Sequence, residues 1–216
     1  VIFKKGSWNI SKPLIVPKDY ILYAGSDVNL TLKNDGIIVA RGGISFEGNP
    51  NNSININSVD QGLGIIVHKA KRRSYLKNVV FKNLSSPNDE TSGITGALTF
   101  YESPVDIQKC IFDGNNSEDA LNIIHSEFVI KDSEFMNTRS DAIDIDFGKG
   151  LVDNVRFKKI GNDALDVSGT EIYSTKIKID GAGDKGISVG ERSEFKGENI
   201  FIRNALIGIA SKDSSE

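Results

Sequence analysis

The sequence predicts an all-β fold, a single right-handed parallel β-helix (a solenoid) with about 22 residues per rung. Three observations carry this. First, "EDALNII" from 118, "SDAIDID" from 140, "NDALDVS" from 162, "DKGISVG" from 184 and "LIGIASK" from 206 follow one another at steps of 22 residues with no gap. Second, apolar and polar residues alternate inside each segment, which is the periodicity of a strand. Third, no stretch of useful length shows helical periodicity. A β-sandwich would explain alternation but not the gapless steps, and the Leu-x-x-Leu-x-Leu pattern of leucine-rich repeats is absent.

The rungs can be placed in order along the chain. The first 60 residues are irregular, but "PLIVP", "YILYAG", "VNLTL", "GIIVA", "ISFEG" and "SININ" read as short strands between turn residues, with Trp8 near the N-terminal end. Regular rungs are expected over 61–216. "GLGIIVH" from 62 joins the repeat if residues 85–95 form a loop insertion, and "TGALTFY" from 95 joins it with a step of 23. Leu121, Ile143, Leu165, Ile187 and Ile209 then stack in one inward column, and Ile123, Ile145, Val167 and Val189 in the next. Phe112, Phe135, Phe157, Ile179 and Phe201 are expected to form a third apolar column, and Val129, Leu151, Tyr173 and Phe195 a fourth. With no linker or shift in composition, residues 1–216 read as one domain. Val1 is not an initiator Met and the chain stops in mid-repeat at "SKDSSE". The domain is therefore expected to be a segment of a longer chain, and the missing signal says nothing about export.

Composition narrows the function. A net charge of −3 with acids and bases intermixed weighs against a nucleic-acid partner. No apolar run reaches the length of a membrane span. Cys110 is the only cysteine, which excludes an internal disulfide and points to a small core residue in a strand. His68 and His125 have no partner at metal-ligand spacing and read as surface residues. Lys71, Arg72 and Arg73 read as a solvated basic turn.

The outward columns carry the candidate chemistry. If Ile143 and Ile145 point in, then Ala142, Asp144 and Asp146 point out. Ala120, Ala142, Ala164, Gly186 and Gly208 would line one column with small residues, leaving room for a sugar chain, a loop or a protein, or marking a tight turn. Asn122, Asp144, Asp166 and Ser188 form the next column, and Ile124, Asp146, Ser168 and Gly190 a third. Asp119, Asp141, Asp163 and Lys185 stand in file at the turn before the strand. Carboxylates stacked at the ~4.8 Å rung spacing repel. A bound Ca²⁺ on Asp144 and Asp166, a raised pKa, or Lys185 as a neighbouring base would each relieve them. Turn aspartates also cap backbone N–H groups, which suits Asp119, Asp141 and Asp163 at least as well.

These pieces carry two resemblances. "SDAIDI", "GNDALDVSG" and "GDKGISVGE", one rung apart, resemble the Asn-Thr-Asp-Gly, Gly-Asp-Asp and Gly-His-Gly motifs of the polygalacturonase family. Asp141 takes the place of the first family Asp and Asp163 the second of the Asp pair. Asn162 replaces the other member, Lys185 stands where the family has its His, and the later Arg-x-Lys is not present. The resemblance implies acid and base roles for Asp141 and Asp163 in an inverting mechanism. "ALTFYESPVDIQKCIF", "SEDALNI" and "AGDKGISVGERS" are similar, over nearly the whole chain, to pectate-lyase-like β-helix regions of bacterial surface or secreted proteins, some beside a domain like the spore-coat protein kinases. That resemblance implies the fold and an extracellular or cell-surface setting.

The expected function is therefore an extracellular or surface β-helix module that is not catalytic. It would bind a polysaccharide or a protein partner along its small-residue, acidic face through Asn122, Asp144, Asp166 and Ser188. One alternative is a polysaccharide-active enzyme. A glycosidase would use Asp141 and Asp163 as acid and base; a lyase or epimerase would use Lys185 as base with Ca²⁺ on Asp144 and Asp166. The other is a structural spacer. No cofactor is implied beyond Ca²⁺, and further domains of the same chain are expected partners.

Overall fold

The computed structural model describes residues 1–87 and 93–216. Three short strands make each rung, because runs of three to six alternating residues are each ended by a residue that turns the chain left-handed. Asn78, Lys109, Asp132, Asn154, Lys176 and Asn199 do this at one corner, and Lys69, Glu102, His125, Phe147, Gly169 and Glu191 at another, all at positive φ. Asn and Asp adopt that conformation at little cost; a bulky side chain does not.

Nine rungs stack as a right-handed parallel β-helix. Face 1 is a nine-stranded sheet containing Ser74–Lys77, Val105–Gln108, Glu127–Lys131, Lys149–Asp153 and Glu171–Thr175. Faces 2 and 3 form one sixteen-stranded sheet, joined where the strand Lys178–Gly190 runs on from one to the other. Every ladder between named strands is parallel, as the gapless repeat requires. The strand pieces expected in the first 60 residues appear as Leu14–Val16, Leu22–Gly25, Val28–Leu32, Ile38–Ala40, Ile44–Glu47 and Ile54–Ser58. The loop insertion expected at 85–95 includes residues 88–92, which lie outside the described residues.

Face 3 carries the two aliphatic columns as read from the sequence. Leu121 pairs with Ile143, Ile143 with Leu165 and Leu165 with Ile187, and Ile123, Ile145, Val167 and Val189 follow in register. The Phe column belongs to face 2. Its rings are fully buried and stacked, with centroids 4.8 Å apart for Phe81–Phe112, 4.3 Å for Phe112–Phe135 and 5.5 Å for Phe135–Phe157. Trp8, paired with Leu30, heads this column and closes the N-terminal end of the core against Phe3, 5.6 Å away.

Four expectations are corrected. Ile179 pairs with Ile202, not Phe201, because the last step on face 2 is one residue longer; Phe201 points to solvent. On face 1 the inward column is Phe128, Gly150, Ile172 and Phe195. Val129, Leu151 and Tyr173 form the outward column beside it, and Lys196 succeeds Tyr173 there. Ala120, Ala142 and Ala164 are fully buried and belong to the core, not to an outward face. The ladder passes from Asp141 to Ile143 without pairing Ala142, so the chain kinks there and the methyl group turns in. At Gly186, next in that file, a Cβ would meet Ile202 at 2.8 Å, a core side chain of face 2. Finally, Cys110 is buried in the core but sits at the corner after Val105–Gln108, not in a strand. Burial pushes its thiol up to about 12, so it is inert.

Buried backbone at the corner between faces 3 and 1 is satisfied by a hydroxyl ladder. Ser126 Oγ accepts from Ser103 N at 2.8 Å, Thr170 Oγ1 from Gly148 N at 3.1 Å, and Ser193 Oγ from Thr170 N at 3.0 Å. Recurrent Ser and Thr at these positions answer the need to pair every buried N–H.

Candidate functional site

The acidic stretch around Asp144 lies on the outer side of face 3, in rungs five to eight. Parallel pairing sets Thr99, Asn122, Asp144, Asp166 and Ser188 in one row, with Tyr101, Ile124, Asp146, Ser168 and Gly190 beside it. Of the four predicted contact residues, Asp144 and Asp166 are half-buried and reach the surface, whereas Asn122 is 1% and Ser188 0% exposed. Gly96 packs closely against Asn122, since a Cβ on Gly96 would stand 2.6 Å from its Cβ. Asn122 is thus a positioning group: its Nδ2 donates to Asp144 Oδ2 at 3.0 Å. Several polar atoms in the row have no hydrogen-bond partner among the described residues, namely Asn122 Oδ1, Asp166 Oδ1 and Ser188 Oγ, along with Asp119 Oδ2 at the turn.

Packing carboxyls together under partial burial raises their pKa values. Burial, then the charges of Asp119, Asp146, Asp166 and Asp141, pushes Asp144 up to about 9. Burial, opposed by a hydrogen bond from Thr95, brings Asp119 to about 7. Asp146 is raised chiefly by burial and then by Glu191 and Asp166. At neutral pH Asp144 is a protonated carboxyl that can both donate and accept.

The turn file is committed to structure. Asp141 Oδ1 accepts from Asp163 N and from Asn162 Nδ2, both at 2.7 Å. Asp163 Oδ1 accepts from Lys185 N at 2.8 Å, and Lys185 Nζ lies 3.4 Å from Asp163 Oδ2 and also bonds Asp184. Asp141 and Asp163 therefore each cap the next rung, and Lys185 neutralises Asp163; Asp141 N instead donates to Glu118 O, so Asp119 makes no such cap. Burial raises both Asp141 and Asp163. Lys185→Met leaves the Asp163 carboxylate, whose side chain is 3% exposed, without its counter-charge. The expected cost is about 2 kcal/mol, read as a lower urea midpoint at unchanged slope. An unchanged midpoint would show that the backbone cap alone suffices.

Sequence reasoning missed Phe147. It follows Asp146 at the corner, in left-handed backbone with φ 53, and half its surface is exposed. Its ring stacks on His125 at 4.8 Å and 12°. Gly169, next in that corner file, makes room, since a Cβ there would stand 2.6 Å from Phe147 Cδ1. The available signal was an aromatic in a file otherwise held by Lys69, Glu102, His125 and Glu191.

Among the described residues no group of three or more His, Cys, Asp or Glu side chains is placed to hold a metal ion. The oxygens that a cation would use at the predicted position are those of Asp144 and Asp166, with Asn122 Oδ1 and Ser188 Oγ flanking them.

No protein-family profile matches the chain, and no curated protein matches it. Among solved structures it is similar to the Streptococcus pneumoniae surface protein and adhesin PfbA, at 10% identity and a TM-score of 0.33, over 100% of this chain and 90% of that one. So loose a likeness carries nothing about function.

Proposed function

We propose that the chain is a non-catalytic β-helix module that works at the cell surface or outside the cell and holds a polysaccharide along the outer side of face 3. The observation that carries this reading is Phe147. It is a half-exposed aromatic at a corner otherwise held by Lys69, Glu102, His125, Gly169 and Glu191, and it is set beside the half-buried Asp144, Asp146 and Asp166. It follows Asp146 in the chain, with Asp144 in the same strand and Asp166 and Ser168 paired to them one rung on. Sugars present apolar ring faces and many hydroxyls, which suits an aromatic beside polar side chains that hydrogen-bond. A polymer lying across these two rungs would meet Asp144 and Asp146 in one and Asp166 and Ser168 in the next.

The capping roles of Asp141, Asp163 and Lys185 support a module without a reaction. A glycosidase needs two carboxyls free to move protons, and a lyase needs a base aimed at substrate. Incubation with a panel of neutral and acidic polysaccharides tests the reading. Binding is expected, weakened about tenfold in Phe147→Ala, a loss worth roughly 1.4 kcal/mol. New reducing ends or absorbance from unsaturated products would overturn the non-catalytic part. Binding that is unchanged in Phe147→Ala would overturn the site.

A further inference from the structure

We propose a second binding site, for a compact and multiply charged oxyanion, in the cleft where the corners of the first three rungs meet. Lys18, Arg41, Lys69, Lys71 and Arg72 line it with Asp19 and Gly42, around a cavity of about 300 Å³. The fold brings them together from distant places in the sequence. Val16 pairs with Ala40 and Ala40 with Val67, so Pro17–Lys18, Arg41 and His68–Lys69 leave face 3 at one stacked corner. Gly42 lets the turns close up, since a Cβ there would stand 2.3 Å from Tyr20 O and 2.5 Å from Lys18 O.

The charge of the cleft is unbalanced. Lys69 lies 3.5 Å from Glu102, but Lys18, Arg41, Lys71 and Arg72 have no ion-pair partner among the described residues. Five cations face one lining carboxylate in a chain whose net charge is −3. The field extends to His68, which is held below its ordinary pKa by burial and by Lys69 and Arg41. Two guanidinium forks and three ammonium groups suit the oxygens of a phosphate or sulfate ester, through charge-assisted hydrogen bonds. The volume is at the small end for ligand pockets, which fits one such group and the unit that carries it. This site is separate from face 3 and does not depend on the reading given for it.

Calorimetric titration of the whole chain at low salt tests it with four probes: inorganic pyrophosphate, a sulfated disaccharide, a galacturonate oligomer and a single-stranded oligonucleotide. Pyrophosphate or the sulfated disaccharide is expected to bind, and which of them binds more tightly tells phosphate from sulfate as the source. Binding should weaken as salt is added. It should fall about tenfold in the Arg41→Gln/Lys71→Gln double variant, at an unchanged melting midpoint, and be untouched by Phe147→Ala. The proposal is overturned if neither oxyanion probe binds, if the double variant binds as well as the parent, or if the galacturonate oligomer or the oligonucleotide binds more tightly than both.

Discussion

Phe135→Ala is expected to destabilise the fold by about 4 kcal/mol, the range of large-to-small changes in a closed core. For a chain of this size that corresponds to a fall of roughly 10 °C in melting temperature. Phe135 is fully buried, with Phe112 at 4.3 Å on one side and Phe157 at 5.5 Å on the other. Two stacked pairs are lost at once, each worth about 0.5–1.5 kcal/mol beyond the area buried. The cavity cannot collapse easily, because Phe112, Phe135 and Phe157 are pinned at rung spacing by their own backbone ladders. Phe201→Ala is the control. Its ring points to solvent, so the change should stay within about 0.5 kcal/mol. A loss at Phe201 matching that at Phe135 would mean that Phe201, not Ile202, continues the column.

That pair of variants also marks where the sequence stops being legible. On face 3 from Leu121 onward the period holds at 22 and the inward positions are aliphatic, so both columns could be read directly. On face 1 the apolar signal is broken by Gly150 in the inward file. The Phe128 ring fills the space over it, since a Cβ on Gly150 would stand 2.7 Å from Phe128 Cδ2. A large and a small residue share one volume across two rungs, and the neighbouring outward file of Val129, Leu151 and Tyr173 looks more apolar than the true core file. Alternation gives the pleat but not which side is buried when one side is Gly and the other Leu or Tyr.

The candidate site was legible as columns of residues but not as surface. A period of 22 put Asp144 beneath Asp166 and Asp141 beneath Asp163, and the structure keeps both alignments. It could not tell that the alanines turn inward at a kink, or that Asn122 and Ser188 are covered. Nor could it assemble the basic cleft. Lys18, Arg41 and Lys69 are 23 and 28 residues apart, and unequal turns in the first rungs hide what the stacked strands beneath them bring together.

Stability should fall as pH rises above neutral, and Asp144→Asn should remove much of that fall. Folded Asp144 keeps its proton to about 9, against a model-peptide value of 3.8, and Asp119 keeps its own to about 7. Between those limits the folded chain holds protons that the unfolded chain has released. Raising the pH through this window therefore favours unfolding. Asp141, Asp146 and Asp163 are raised as well and act with the same sign. His68, whose pKa is lowered from 6.5, acts oppositely below that value, so the clean interval runs from pH 6.5 to about 8.5. One proton held across two pH units corresponds to at most about 3 kcal/mol. An amide at this position keeps the shape, needs no proton and can still accept from Asn122 Nδ2. Asp144→Asn is thus expected to gain about 2 kcal/mol at the upper end of the interval, roughly 5 °C in melting temperature, and to flatten the slope. A cation shared by Asp144 and Asp166 reverses every sign. Ca²⁺ would then raise the midpoint of the parent chain, because a ligand that binds only the folded state must do so. Asp144→Asn would lower the midpoint and abolish that response. Melting curves of both chains, with Ca²⁺ and with chelator at the two pH values, decide between shared protons and a shared ion on this face.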